Sequence, residues 1–489
     1  MSRLLILGVS PLPFESTLRS FGPGTRTWQL TEPLLTDGHE IVLVGMRIPE
    51  TYPAETPPEI SETRDRLTYH SIDGELYFQS RYVQRVHDEL RPDAVIFAHA
   101  AASYSDSVVE TPAPIWIDLC GHVMAEAQAK AAVYHDDSYL DYFFHKMLVS
   151  LFRGDVFSTV SDAQRWALIG ELGLAGRLNS LTNGVDLAHT IPCGAEEEDY
   201  RHERKVLRGV DVGDDDFVVL WSGGFNTWTD VDTMFAGLSW AMDREPSLRF
   251  VATGGQIDGH DEITYPRFVD AIAASPHRDR FILKGWLPRE LVPNYYFEAD
   301  VGINCEKDIY EVRLGSKHRI LDWSRASLPV VSTRVTELSD AVEEDGVGFV
   351  CSAGDPEALG RAILRAVERR AELPELGREF KSAMRRRFGF RATTTSLRAW
   401  AAAPTFAPDH GRTPTCLENV VSPTQGPPME AVEPGPDEGV PSVSDEGTAL
   451  LGENRLRWLV RVVGTSYRDG GISMVLRRVL DRVRGRSEP

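Results

Sequence analysis

Apolar residues come in short unbroken runs along this chain, separated by amphipathic stretches and clusters of glycine. Arg3 to Val9 is such a run, and Ile41 to Val44, Asp93 to Ala98, Pro114 to Asp118 and Asp155 to Ser161 repeat it. Half-exposed strands alternate polar and apolar positions, whereas unbroken runs belong to strands covered on both faces, as in parallel sheets flanked by helices. Between the first two runs the pattern predicts a helix from Thr27 to Thr36, closed by Asp37-Gly38-His39. The first half therefore reads as a doubly wound α/β unit.

The second half repeats the plan. A strand from Asp216 to Ser222 ends in Gly223-Gly224-Phe225-Asn226, and an amphipathic helix from Val231 to Met242 follows. Leu248 to Thr253 ends in Gly254-Gly255, and further strands are expected at Phe281 to Trp286, Ala299 to Asn304, Leu328 to Thr333 and Gly348 to Val350. Ligands in open α/β sheets bind beyond the carboxyl ends of strands. Two such halves facing one another enclose a deep cleft.

The chain has 489 residues, 42% of them hydrophobic, enough for two or three domains. No apolar run reaches the ~18 residues of a membrane span. Leu4 to Val9 is too short for a signal sequence and reads as the first strand. Five scattered cysteines, without a Cys-x-x-Cys pair, imply reduced cytosolic thiols and argue against a zinc site. A formal net charge of −21 disfavours nucleic acid as a partner. The loop Phe21-Gly22-Pro23-Gly24-Thr25-Arg26 lies between the first strand and its helix, where backbone N–H groups and a helix N-terminus can face an anion. It lacks Gly-x-Gly-x-x-Gly, and no acid ends the second strand, which disfavours a dehydrogenase-type dinucleotide site.

Leu181-Thr-Asn-Gly-Val-Asp186, at the junction of the two halves, resembles the Pro-Asn-Gly-Val-Asp signature of family 4 glycosyltransferases, with Thr182 in place of proline. Lys284-Gly-Trp-Leu-Pro288, Asp300-Val-Gly-Ile303 and Leu314-Gly-Ser-Lys-His-Arg-Ile-Leu-Asp322, followed by Leu328-Pro-Val-Val331, are similar to further motifs of that family. The resemblance covers about residues 1 to 400 and implies the GT-B fold: two Rossmann-like domains facing a cleft. Expected boundaries are 1–187 for the acceptor domain, 188–388 for the nucleotide-sugar domain and 389–403 for a closing helix packed back on the first domain. The implied activity is transfer of a sugar from a nucleotide diphosphate sugar to a saccharide or lipid-linked acceptor, with retention, no metal and no cofactor. The alternatives are an inactive scaffold subunit of this fold, or an epimerase or phosphorylase.

The resemblance also assigns residues. Asp322 falls on the second acid of the family's Glu-x7-Glu motif, expected to hold ribose, while Leu314 occupies the position of the first. Glu311 is the candidate to replace that acid as the catalytic carboxylate. The family's Arg-x-x-x-x-Lys-Gly diphosphate clamp is missing after the first strand of the second half. Lys317 and Arg319, with Gly315 and Ser316 at the same helix start, are the expected substitutes. Gly22, Gly24, Gly223, Gly224, Asn226, Gly254, Gly255 and Trp286 complete the expected donor site. Asp118 and His122 are candidates to handle the acceptor hydroxyl, with His99 and Arg26 on the acceptor side.

Residues 404–450 are rich in Pro, Gly, Ser and acids and predict a disordered linker. Residues 451–489 carry apolar and arginine stripes at helical spacing, a pattern expected to lie on an anionic membrane surface, the alternative being a helical hairpin docked on a protein. The expected location is cytoplasmic, peripheral on the inner face of the membrane.

Overall fold

The computed structural model describes residues 1–15, 17–19, 21–48, 51–79, 81–99 and 109–412. Strands β1 (Arg3–Ser10), β2 (Glu40–Arg47), β3 (Glu59–Arg64), β4 (Leu67–Ile72), β5 (Ala94–Phe97), β6 (Ile115–Leu119), β7 (Val156–Thr159) and β8 (Ala188–Thr190) form one sheet in the order β3-β4-β2-β1-β5-β6-β7-β8. Strands β9 (Phe217–Ser222), β10 (Leu248–Thr253), β11 (Phe281–Gly285), β12 (Val301–Asn304), β13 (Val330–Arg334) and β14 (Phe349–Ser352) form the second, in the order β11-β10-β9-β12-β13-β14.

The unbroken runs are covered on both faces. Leu5 and Leu7 enter one core layer, Leu4 and Ile6 the other. Phe217, Val219 and Trp221 divide from Val218 and Leu220 in the same way in the second sheet. The pairings are parallel except β3 with β4, a hairpin that the apolar pattern does not reveal because every residue of β3 is exposed.

Several boundaries differ from the sequence reading. The first long helix begins at Gly22, so Gly22 and Gly24 lie in its first turn and the expected glycine-rich loop is shorter. A Cβ on Gly24 would lie 1.8 Å from the Pro11 carbonyl oxygen, so this glycine permits the helix to meet the chain leaving β1. β8 pairs with β7, which carries the first domain past residue 188. The Asn183-Gly184 turn precedes β8 and so lies at the amino-terminal edge of the sheet, opposite the cleft.

The crossover between domains runs through Pro192 to Ala195. It lies beside the returning chain, where the Ala195 N–H donates to the Phe388 carbonyl at 2.8 Å. Gln29 Nε2 donates to the Pro192 carbonyl at 2.7 Å and to Thr393 Oγ1 at 2.9 Å, tying both crossovers to the first helix.

Leu397, Trp400 and Ala401 of the helix Thr395–Ala402 share a core with Leu4 and Leu34 of the first domain. The packed body then runs beyond Pro404, where composition puts the linker, to Arg412. Asp409 meets buried Arg177 through oxygens at 2.9 and 3.0 Å, and His410 lies 2.8 Å from Asp155. The remainder of the expected linker and the amphipathic segment 451–489 lie outside the described residues. Among the described residues no helix is long and apolar enough to cross a membrane.

Candidate functional site

The carboxyl ends of β9, β10 and β11 meet at the cleft. Gly223 and Gly254 adopt positive φ of 94° and 135°, and a Cβ on Gly254 would lie 2.1 Å from the Gly223 carbonyl oxygen. Only glycine permits that approach. Phe225 anchors the first loop by stacking on Trp221, with centroids 4.7 Å apart. This leaves Asn226 Oδ1 and Thr227 Oγ1 buried without hydrogen-bond partners. On the neighbouring loop, which begins at Gly254-Gly255, the Gln256 carbonyl accepts from Trp286 Nε1 at 2.7 Å. Arg19 of the first domain covers the Trp286 ring at 4.5 Å.

Facing these loops is the helix His318–Arg325, whose N-cap Lys317 makes no side-chain cap, so its first-turn N–H groups lack that partner. Lys317 Nζ lies 3.5 Å from Glu311 Oε2 and 5.0 Å from the Trp228 ring centroid. Arg319 lies 3.7 Å over Trp221 and donates from Nη2 to the Gly224 carbonyl at 3.3 Å, while its Nη1 is buried without a partner. Burial pulls the Arg319 guanidinium below its ordinary range, against the attraction of Glu306.

Glu306 was not singled out from sequence. It follows β12, and both carboxylate oxygens are buried without partners. Burial pushes its carboxyl up, opposed by Lys317, Arg319 and Lys307. Glu311 is pushed up to about 7 by burial, opposed by Lys317 and reinforced by Glu306 and by Glu126 across the cleft. Glu306 and Glu311 thus converge with Lys307, Lys317 and Arg319 under the glycine loops, with unmet polar atoms on both sides. The signal available in sequence was an acid at a strand end, Asn304-Cys305-Glu306.

Glu311, Lys317, Arg319, Gly223, Gly224 and Asn226 come together in this cluster, and Gly315 supports it: a Cβ there would lie 2.7 Å from the Glu311 carbonyl oxygen. Ser316 follows in the same loop. Leu314 offers its carbonyl to Ser161 Oγ at 2.7 Å, a contact between domains. Asp322 lies one helical turn beyond Arg319, with its side chain 37% exposed, 3.3 Å from the Tyr200 hydroxyl and 3.8 Å from Arg325.

The expected acceptor-side groups are placed differently. Asp118 and Arg26 are both fully buried in a bidentate pair at 2.7 and 2.9 Å, and Asp118 also accepts from Ser158 Oγ at 2.6 Å. Neither can touch an acceptor, a correction that follows from a carboxylate and a guanidinium taking each other out of solvent. Burial opposes the Arg26 charge, but Asp118 outweighs it and holds the pKa above the ordinary value. His122 caps the helix Val123–Tyr134 by accepting from the Ala125 N–H at 3.2 Å, and its Nε2 lies 3.1 Å from Glu171. It positions a helix. His99 is partly buried, and burial lowers its imidazole pKa. Gly22 faces the helix of the other domain, since a Cβ on it would lie 3.4 Å from His318 Cδ2.

Comparison with known proteins follows this division. Residues 216–369 match the family model described as glycosyl transferases group 1. The fold of the whole is similar to sucrose-phosphate synthase from Thermosynechococcus elongatus, with a TM-score of 0.60, 15% identity, and coverage of 82% of this chain and 100% of the other. A UDP-forming α,α-trehalose-phosphate synthase from Burkholderia xenovorans gives 0.57 at 14% identity, covering 82% and 99%. HepE from Anabaena in complex with UDP-glucose gives 0.53 at 13%, covering 82% and 100%. The shared architecture is the GT-B fold. No curated protein matches the chain.

Proposed function

We propose that this protein is a glycosyltransferase that moves a sugar from a nucleotide diphosphate sugar to a saccharide or lipid-linked acceptor, with retention and with no metal in the transfer step. The observation that carries the reading is the pairing of Lys317, Arg319 and an uncapped helix N-terminus with the glycine loops of a group 1 domain. Cations and backbone N–H groups together meet a diphosphate, the task a metal performs elsewhere. The UDP-sugar complex of HepE and the UDP-forming synthase support a nucleotide-sugar donor.

In the proposed step, the bond between the anomeric carbon and the diphosphate oxygen breaks and a bond to the acceptor oxygen forms on the same face. The electron pair stays on the diphosphate, facing Lys317 and Arg319, and the acceptor proton passes to a phosphate oxygen or to Glu311. Asp322 holds the ribose. The rival reading is a silent scaffold, favoured by Leu314 in place of the first motif acid. A thermal-shift screen of nucleotide sugars, with release of nucleoside diphosphate as the second readout, decides between them. No stabilisation by any nucleotide sugar would leave the scaffold.

A Glu311 carboxyl near 7 gives a pH signature. The charged form is available above about 7, so transfer is expected to rise between pH 6 and 8, and Glu311→Gln should abolish both the rise and most of the rate. Stability moves the other way. The folded pKa is raised from 4.5, so the favourable contribution is fully present below 4.5 and is lost as pH rises through 7. At pH 8 Glu311→Gln should therefore be more stable by roughly 3 kcal/mol. An unchanged pH–rate profile in Glu311→Gln would remove this acid from the mechanism.

The amphipathic segment 451–489 supports a membrane-proximal acceptor. The full chain should sediment with anionic vesicles in a salt-sensitive way, and a chain ending at Arg412 should not. Equal sedimentation of both would rule the membrane role out.

A further inference from the structure

Three ligating side chains far apart in sequence meet behind the donor site. Cys120 follows the carboxyl end of β6, Cys193 lies in the crossover after β8, and His318 opens the helix of the second domain. Their ligand atoms all lie within 4.8 Å of one another. Cys193 is only 2% exposed, and His318 Nε2 is buried with no hydrogen-bond partner.

We propose that Cys120, Cys193 and His318 form a Cys2His site for a soft divalent ion of the zinc class, clasping the two domains together. Two sulfurs and one imidazole are a zinc ligand set, with bonds of about 2.3 Å to sulfur and about 2.0 Å to nitrogen. Tetrahedral bonds of that length set donor atoms roughly 3.5–4 Å apart, so the observed cluster closes on an ion with side-chain shifts of about an ångström. Three protein ligands leave a fourth position for water.

Charge balance favours the same ion. Arg26 lies close enough to interact electrostatically with both sulfurs as well as with Asp118. Two thiolates and Asp118 carry three negative charges; Arg26 and a divalent ion carry three positive, so the buried group becomes neutral. On binding, each S–H bond breaks, its electron pair forms the sulfur–metal bond and the proton leaves to solvent. One ligand belongs to the first domain, one to the crossover and one to the second domain, next to Lys317 and Arg319, so the ion fixes the domain interface without entering the transfer reaction.

The test uses the full chain, reduced and stripped with a chelator, then titrated with Co2+. One equivalent should bind with a thiolate-to-cobalt charge-transfer band, and Zn2+ should displace it. Cys120→Ser and Cys193→Ser should each weaken binding by roughly 100-fold or more and, at saturating Co2+, leave a band of about half the intensity from the one remaining thiolate, with circular dichroism in the absence of metal unchanged. Cys120 is the less buried of the two thiols, so Cys120→Ser serves if Cys193→Ser does not fold. Cobalt bound without the band, equal affinity in a folded serine variant, or a Cys120–Cys193 disulfide as the resting state of the purified protein would each overturn the proposal. None of these readouts depends on glycosyl transfer.

Discussion

Replacing Lys317 and Arg319 together with methionine is expected to weaken binding of a nucleoside diphosphate by about 10²- to 10⁴-fold while leaving the bare nucleoside nearly unaffected. Each cation supplies a charge-assisted interaction of about 1.5–3 kcal/mol to an anion, and the nucleoside carries none. Their removal also takes away the charges that oppose burial of Glu306 and Glu311. Those acids then stay protonated to higher pH instead of persisting as bare buried charges, so the fold should survive near neutrality. Asp322→Ala should behave differently, costing nucleoside and nucleoside diphosphate alike roughly 10- to 100-fold, because ribose is common to both. Calorimetric titration with the two ligand classes separates the effects. Equal losses for both ligands in the Lys317/Arg319 variant would mean that the cations support structure and the phosphates bind elsewhere.

The largest effect on stability is expected at the buried pair of the first domain. Arg26→Ala or Asp118→Ala leaves the partner as an uncompensated charge among fully buried groups, and each should cost about 3–5 kcal/mol in denaturant unfolding. Arg26 also donates to Gln29 at 2.9 Å and to the Pro192 carbonyl at 3.1 Å, so its loss loosens the crossover between domains. Arg26→Met combined with Asp118→Leu should recover much of the loss, because a well-packed apolar pair no longer holds a stranded charge. Losses below about 1 kcal/mol in both single variants would show that solvent reaches the pair on opening.

The placement of the residues read as donor-binding was more legible in the sequence than that of the residues read as acceptor-side. Gly223-Gly224, Lys317 and Arg319 stand at strand ends and a helix start, where local order already aims them at the cleft. Asp118 follows the same rule and is misleading. It ends a buried strand as expected, yet Arg26 and Ser158 reach it first, and both partners come from other segments. Glu306 was missed for the converse reason, since a lone acid after a strand has no local mark of being shut in without hydrogen bonds.

The sequence by itself determined the two doubly wound sheets. Unbroken apolar runs can be buried only between two layers of helices, a property of each segment alone. Tertiary structure decided which polar groups meet. The buried Arg26–Asp118 pair, the turn at Asn183-Gly184 facing away from the cleft, the packed stretch to Arg412 and the Cys120–Cys193–His318 cluster all depend on contacts between segments far apart along the chain. Such contacts are fixed by how the layers and crossovers pack, and hydrophobic periodicity carries no record of them.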